Sequence, residues 1–171
     1  MSNIIKGFHE KYQFLSNFYN TPVTYNGITY KNNESAFQGA KFLHLTPAEA
    51  AHAIGPDLMA KYKLNENDPL LIPHFFMQLL PNEAKKFGRK LPLDPNWEEK
   101  KENIMRNLVY AKFTQNKDLQ EQLKTTHPAT LVETNWWHDN IWGDCTCDRC
   151  KHIAGKNILG NILMDVRKKL L

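Results

Sequence analysis

With 171 residues, 42% of them hydrophobic and 23% charged, the chain is long enough for one domain to bury one substantial core. An aromatic share of 11% and a formal charge of only +4 argue against intrinsic disorder, which combines low hydrophobicity with high net charge. No apolar run approaches the ~20 residues that span a bilayer, and residues 1–10 contain no apolar signal core, so a soluble, cytoplasmic protein with no membrane partner is expected.

No repeat, low-complexity block or Gly/Ser linker divides the chain, so residues 1–171 are expected to form a single domain. Val23-Thr24-Tyr25 and Ile28-Thr29-Tyr30 flank Asn26-Gly27, a pair that tolerates positive φ at both turn positions and closes a type I′ hairpin. A helix is expected from Asn32 or Asn33 to about His44, with Ala36, Phe37, Ala40 and Leu43 facing a core. Another follows Thr46, where a capping hydroxyl, Pro47 at the first helical position and Glu49 make a capping box, and Gly55-Pro56 stops it. Residues 63–81, broken by prolines around His74-Phe75-Phe76, read as a lid or an insertion. Further helices are expected over Pro81–Phe87, ended by Gly88, over about Trp97–Gln115, with Ile104, Leu108 and Ala111 on one face and Met105 and Val109 beside them, and over 118–125. Residues 130–134 are β-like, and a closing helix over about 156–170 turns Leu159, Ile162, Leu163 and Val166 inward. Strands followed by helices give an α+β fold: a compact, mostly helical domain with an N-terminal β-hairpin and a small sheet.

Four segments could carry chemistry. Glu34, Gln38 and Lys41 fall at i, i+4 and i+7, so a carboxylate, an amide and an amine share one helical stripe. That stripe is either a solvated polar face or the floor of a catalytic cleft. Residues 134–143 gather Trp136, Trp137 and Trp142 with His138 and Asp139, either as a plug over one end of the core or as rings that stack on a ligand. At Gly155-Lys156-Asn157, free backbone amides, a helix dipole and a lysine together suit a phosphate, while Gly160 suits close helix packing. Cys145, Cys147, Cys150 and His152 offer three thiols and an imidazole. They are either a metal-free thiol loop or candidate zinc ligands, with His138 available as a remote ligand. Confined to one short stretch, the cysteines are not the spaced framework of a secreted disulfide scaffold.

Read in order, Phe14-Leu-Ser-Asn-Phe-Tyr19, Glu34-x-x-Phe37-Gln38-x-x-Lys41-Phe42, Ala84-Lys-x-x-Gly88-Arg89, Trp97, Met105, Lys112-Phe113, Leu131-Val132-Glu133, Asp139-x-x-Trp142-Gly143 and Gly155-x-Asn157-x-x-Gly160-x-x-Leu163-Met164-x-x-Arg167 resemble the NADAR superfamily, also called YbiA-like proteins. The resemblance implies N-glycoside hydrolysis, either of ribosylamino-pyrimidine phosphates of the riboflavin pathway or of ADP-ribosyl-guanine. The substrate is then a small-molecule or nucleic-acid-linked N-riboside, with DNA or RNA as a contact in the second case. Glu34, Lys41 and Asp139 are the implied catalytic residues. Asn17, Phe18, Tyr19, Gln38, Arg89, Trp97, Trp142, Gly143, Lys156 and Asn157 are the implied substrate-binding residues. No cofactor is required, and any zinc would be structural. Phe18, Glu34, Lys41, Asp139 and Trp142 are expected to converge in one cleft. The cysteine stretch and residues 63–81 depart from the family pattern. Two other readings remain: a non-catalytic module that binds ADP-ribose or a phosphorylated nucleotide, and a zinc-stabilised nucleic-acid contact.

Overall fold

A computed structural model describes residues 3–171; Met1 and Ser2, the head of the segment read as lacking a signal core, lie outside the described residues. The elements are β1 (Ile4–Lys6), a 3-10 helix (Glu10–Leu15), β2 (Val23–Tyr25), β3 (Ile28–Tyr30), α1 (Asn33–Ala40), α2 (Pro47–Ile54), α3 (Pro56–Lys61), α4 (Leu71–Phe76), α5 (Pro81–Phe87), α6 (Trp97–Gln115), α7 (Lys117–Thr125), β4 (Thr130–Val132), β5 (Thr134–Asn135), β6 (Asp144–Cys145) and α8 (Ile158–Leu170). Helices dominate, and the described strands pair in twos as β1-β4, β2-β3 and β5-β6. The chain falls into two compact units, residues 20–104 and residues 3–19 with 105–171.

In the unit of residues 20–104, Asn26 at φ 50° and Gly27 at φ 78° close the antiparallel β2-β3 hairpin in the expected register, Val23 opposite Tyr30. The Asn32 side chain caps α1 by accepting from Ser35 N at 2.7 Å, and every residue from Asn33 to Ala40 is buried. The helix ends earlier than expected. Lys41 N and Phe42 N bond to Gln38 O and Gly39 O, tightening the last turn. Phe42 then enters the core and stacks on Phe76, 5.8 Å between centroids, while Leu43, expected inward, is exposed.

Residues 63–81 are neither lid nor surface insertion. They contain α4, whose Leu71, Ile72, Phe75 and Phe76 are buried together with Leu79. Pro73 sits in the first turn of α4, where a missing N–H costs no intrahelical bond. Phe75 meets Tyr62, Phe76 and Phe87 edge-on at 5.4, 5.3 and 5.0 Å. Gly39 lets α1 approach α4, since a Cβ there would stand 3.0 Å from Phe76 Cβ.

In the other unit, β1 and β4 pair in parallel with Ile5 beside Leu131, and α8 lies across β4. A Cβ at Gly160 would stand 2.2 Å from Leu131 O, so the close approach of α8 requires glycine. Leu159, Ile162, Leu163 and Val166 of α8 are buried as expected. On α6, Met105, Leu108, Val109 and Phe113 are buried, while Ile104 and Ala111 are only half-buried. Arg167 is buried at a helix end, donating to Thr126 Oγ1 at 2.8 Å and Ala129 O at 2.9 Å. Among the described residues no helix is long and apolar enough to cross a membrane.

Candidate active site

Capping at Asn32 fixes the phase of α1, and with the whole helix buried its polar stripe is no solvated face: Glu34 is 7% exposed and Gln38 5%. Gln38 Nε2 donates to Glu34 Oε1 at 2.7 Å, which orients the carboxylate along the helix. Gln38 Oε1 is buried with no hydrogen-bond partner among the described residues, and it rests against Gly88, where a Cβ would stand 1.9 Å away. Glycine is therefore required at the end of α5 for Gln38 to hold this position.

Lys41, at the C-cap of α1, is half-buried, with Nζ 5.7 Å from the Phe37 ring centroid and 5.8 Å from that of Trp97. Burial holds its pKa below the ordinary lysine value; Glu34 pulls it up, and the cations Lys85, Arg89 and Lys101 press it down. A lysine so placed has more neutral amine available as a nucleophile, beside a carboxylate able to move protons. Trp97 is 4% exposed and packs on Phe37 at 5.1 Å. Its ring packs against Lys41 and Phe37. Arg89 is exposed just beyond α5. A broad recess beside α2 and α3, lined by residues including Ala51, Met59 and Leu64, holds none of the predicted site residues.

The remaining predicted residues belong to the unit of residues 3–19 and 105–171. Asn17 is buried and donates to Met105 Sδ at 3.3 Å, Phe18 is 41% exposed, and Tyr19 is half-buried. Lys112, part of the family motif but assigned no role from the sequence, is wholly buried and donates from Nζ to Ser16 O at 2.8 Å, with the Tyr19 ring 5.6 Å away. Burial pushes its pKa down to about 7 against the opposing pull of Glu133. The signal was present: Lys112 lies four residues after Leu108 and three after Val109, on the apolar face of α6.

Asp139 turns its loop. Its Oδ1 accepts from Ile141 N at 3.0 Å and Trp142 N at 2.9 Å, and its backbone is bracketed by both ends of the Asn135 amide. Trp136 and Trp137 are 73% and 48% exposed, so they plug no core, while Trp142 is half-buried. Gly143 is buried against Glu133 O, which a Cβ would approach to 2.3 Å.

The amides expected to be free at the start of α8 are occupied. Lys156, Asn157, Ile158 and Leu159 donate to the carbonyls of Asn140, Gly143, Ile141 and Trp142 at 2.8 to 3.2 Å. Asn157, at φ 50°, spends both ends of its side chain on Glu133 N and Leu131 O. The helix start is thus a clamp for the aromatic loop and not an open phosphate cradle, although the Lys156 side chain is exposed. The cysteines gather His138, not His152: His138 with Cys145, Cys147 and Cys150 forms one group of potential metal ligands, and His152 is exposed outside it.

The NADAR domain family matches residues 5–171. The chain belongs to the NADAR family. N-glycosidase YbiA of Escherichia coli is 32% identical over 163 residues, covering 94% of this chain and 83% of that protein. The NMR structure of YbiA superposes with a TM-score of 0.70 at 31% identity, covering 99% of this chain and 86% of the other. A riboflavin biosynthesis protein of Vibrio vulnificus is 28% identical over 161 residues, 94% of this chain but 36% of its own length. The NADAR match spans both units, residues 63–81 included. What reads as an insertion in the sequence therefore lies inside the NADAR domain and supplies part of its core.

Proposed function

We propose that this NADAR protein is an N-glycosidase that hydrolyses the bond between ribose C1′ and nitrogen in a phosphorylated N-riboside, with Glu34 and Lys41 as the reacting side chains. One observation carries the reading: a buried carboxylate held by Gln38 at 2.7 Å shares a helix with a half-buried lysine whose pKa is lowered. The relatives named N-glycosidases support it. Rupture of C1′–N builds positive charge at C1′, which a nearby carboxylate stabilises, and the departing nitrogen needs a proton. Neutral Lys41 Nζ adds to C1′ as the C1′–N bond breaks, and the Glu34 carboxylate relays to the departing nitrogen the proton that the newly formed ammonium gives up. The ribosyl amine then opens to a Schiff base, and water restores the lysine and releases the sugar. Lys85, Arg89 and Lys101, the cations whose fields reach Lys41, suit the phosphate of such a substrate. The assignment of Asn17, Phe18, Tyr19 and Trp142 to substrate recognition, and of Asp139 to the catalytic set, rests on the family resemblance.

Two substrates share this chemistry, ribosylamino-pyrimidine phosphates and ADP-ribosyl-guanine; the name of the Vibrio relative favours the first. The protein is incubated with each, and the products are identified by mass. Release of ribose 5-phosphate or of ADP-ribose is expected, and binding of both without cleavage of either replaces this reading with that of a binding module. Borohydride added during turnover is expected to leave a sugar-sized adduct on Lys41. A largely active Lys41→Ala enzyme without such an adduct would assign the attack to water activated by Glu34.

A further inference from the structure

We propose that His138, Cys145, Cys147 and Cys150 form a structural zinc site that clamps the aromatic loop between β5 and β6. The proposal is independent of the glycosidase reading. The four ligand atoms all lie within 4.8 Å of one another, with His138 Nδ1 3.1 Å from Cys147 Sγ and 3.4 Å from Cys150 Sγ. Zinc held by thiolates at ~2.3 Å and imidazole at ~2.0 Å in a tetrahedron sets its ligand atoms roughly 3.5–3.8 Å apart. The observed group needs only small side-chain rotations to reach that spacing.

The backbone brings the ligands together from two directions. Cys150 N and Lys151 N both bond to Cys147 O, so residues 147–151 wind into a turn that sets the Cys147 and Cys150 thiols on one side. Cys145 stands on β6 in register with Asn135 of β5, and His138 follows Asn135 by three residues. His138 itself holds φ 70°, a conformation costly for a residue with a Cβ, and in it Nδ1 faces the sulfurs. Hydrophobic packing does not account for the thiols, because only Cys145 is buried and all three cysteines are free. With zinc on Nδ1, Nε2 carries the ring proton, and the exposed Arg149 side chain, now against Nε2, turns to solvent.

Four protein ligands leave no open position for substrate or water, so the ion is structural. It would tie His138, in the middle of the segment bearing Trp136, Trp137, Asp139 and Trp142, to the stretch that follows β6. Three thiolates and one imidazole favour zinc over magnesium or calcium, which take oxygen ligands.

The test uses the full chain purified without chelator. Expected are about one zinc per chain after dialysis, thiols shielded from alkylation until a chelator is added, and, for the cobalt(II)-exchanged protein, the intense visible bands of tetrahedral thiolate coordination. Cys147→Ser and His138→Ala should each weaken metal retention at least tenfold in competition with a metallochromic indicator. Chelation should lower the Tm of the unaltered protein and leave that of Cys147→Ser unchanged. If those variants fail to fold, the cobalt spectrum and thiol shielding of the unaltered chain decide. Zinc no higher than background, an octahedral cobalt spectrum, or a Cys147–Cys150 disulfide in the freshly purified protein would each overturn the proposal.

Discussion

The stripe on α1 and the loop between β5 and α8 hold their polar side chains by opposite means. On α1, helical spacing places Glu34 under Gln38, a capped N-terminus fixes the phase, and burial fixes the rest. In the loop, position comes from side chains bonding to distant backbone: Asn135 to Asp139, Asp139 to Trp142, and Asn157 to Glu133 and Leu131. A helix gives its residues one shared geometry, so one substitution there tests chemistry. Each loop position depends on several partners, so one substitution there tests structure.

The largest expected effect sharpens the first half of that contrast. Glu34→Gln keeps shape and removes only the ionisable group, so kcat for N-riboside cleavage should fall about 10²- to 10⁴-fold while the Tm stays close to that of the unaltered protein. A variant within tenfold of full activity would remove Glu34 from the chemistry and leave α1 with a packing role. The second effect addresses the loop. Asn157→Ala strips partners from Glu133 N and Leu131 O together and should cost about 1–3 kcal/mol of stability, with loss of tryptophan signal in the near-ultraviolet circular dichroism. An unchanged melting curve and spectrum would mean that the loop is held by something other than this clamp.

The same contrast explains what could be read from the sequence. Asn26-Gly27, the Thr46 capping box and the apolar spacing of α8 are local codes, and the structure follows them. The Glu34/Gln38/Lys41 stripe was equally local, but its burial was not, because it depends on α4 and α5 packing against α1. Residues 63–81 misled for that reason: their prolines signal breaks, yet Pro73 occupies a first turn that tolerates it, and Phe75 and Phe76 find their partners only in the fold. The amides at the start of α8 read as free because nothing near them in sequence names the carbonyls of residues 140–143 as their acceptors. His138 replaces His152 among the thiols for a similar reason, since β5-β6 pairing brings it there across the loop.

The effect that is smallest per pH unit concerns Lys112, which shares with α1 a helical position and with the loop a distant backbone partner, Ser16 O. Its pKa falls from an ordinary 10.5 to about 7 on folding, because burial disfavours the ammonium ion. Between those values the unfolded chain holds a proton that the folded chain has released, so stability rises with pH across that window. Above pH 10.5 the lysine is neutral in both states and nothing is lost; below pH 7 it is charged in both, and the full cost of burying the charge is present. The slope is at most about 1.4 kcal/mol per pH unit. Lys112→Met, similar in length and without a titrating group, should flatten that rise in urea melts run from pH 7 to pH 10, whatever it does to stability at a single pH. Parallel stability curves for the two proteins would show that Lys112 stays protonated when buried, with Ser16 O and Glu133 strong enough to hold the charge.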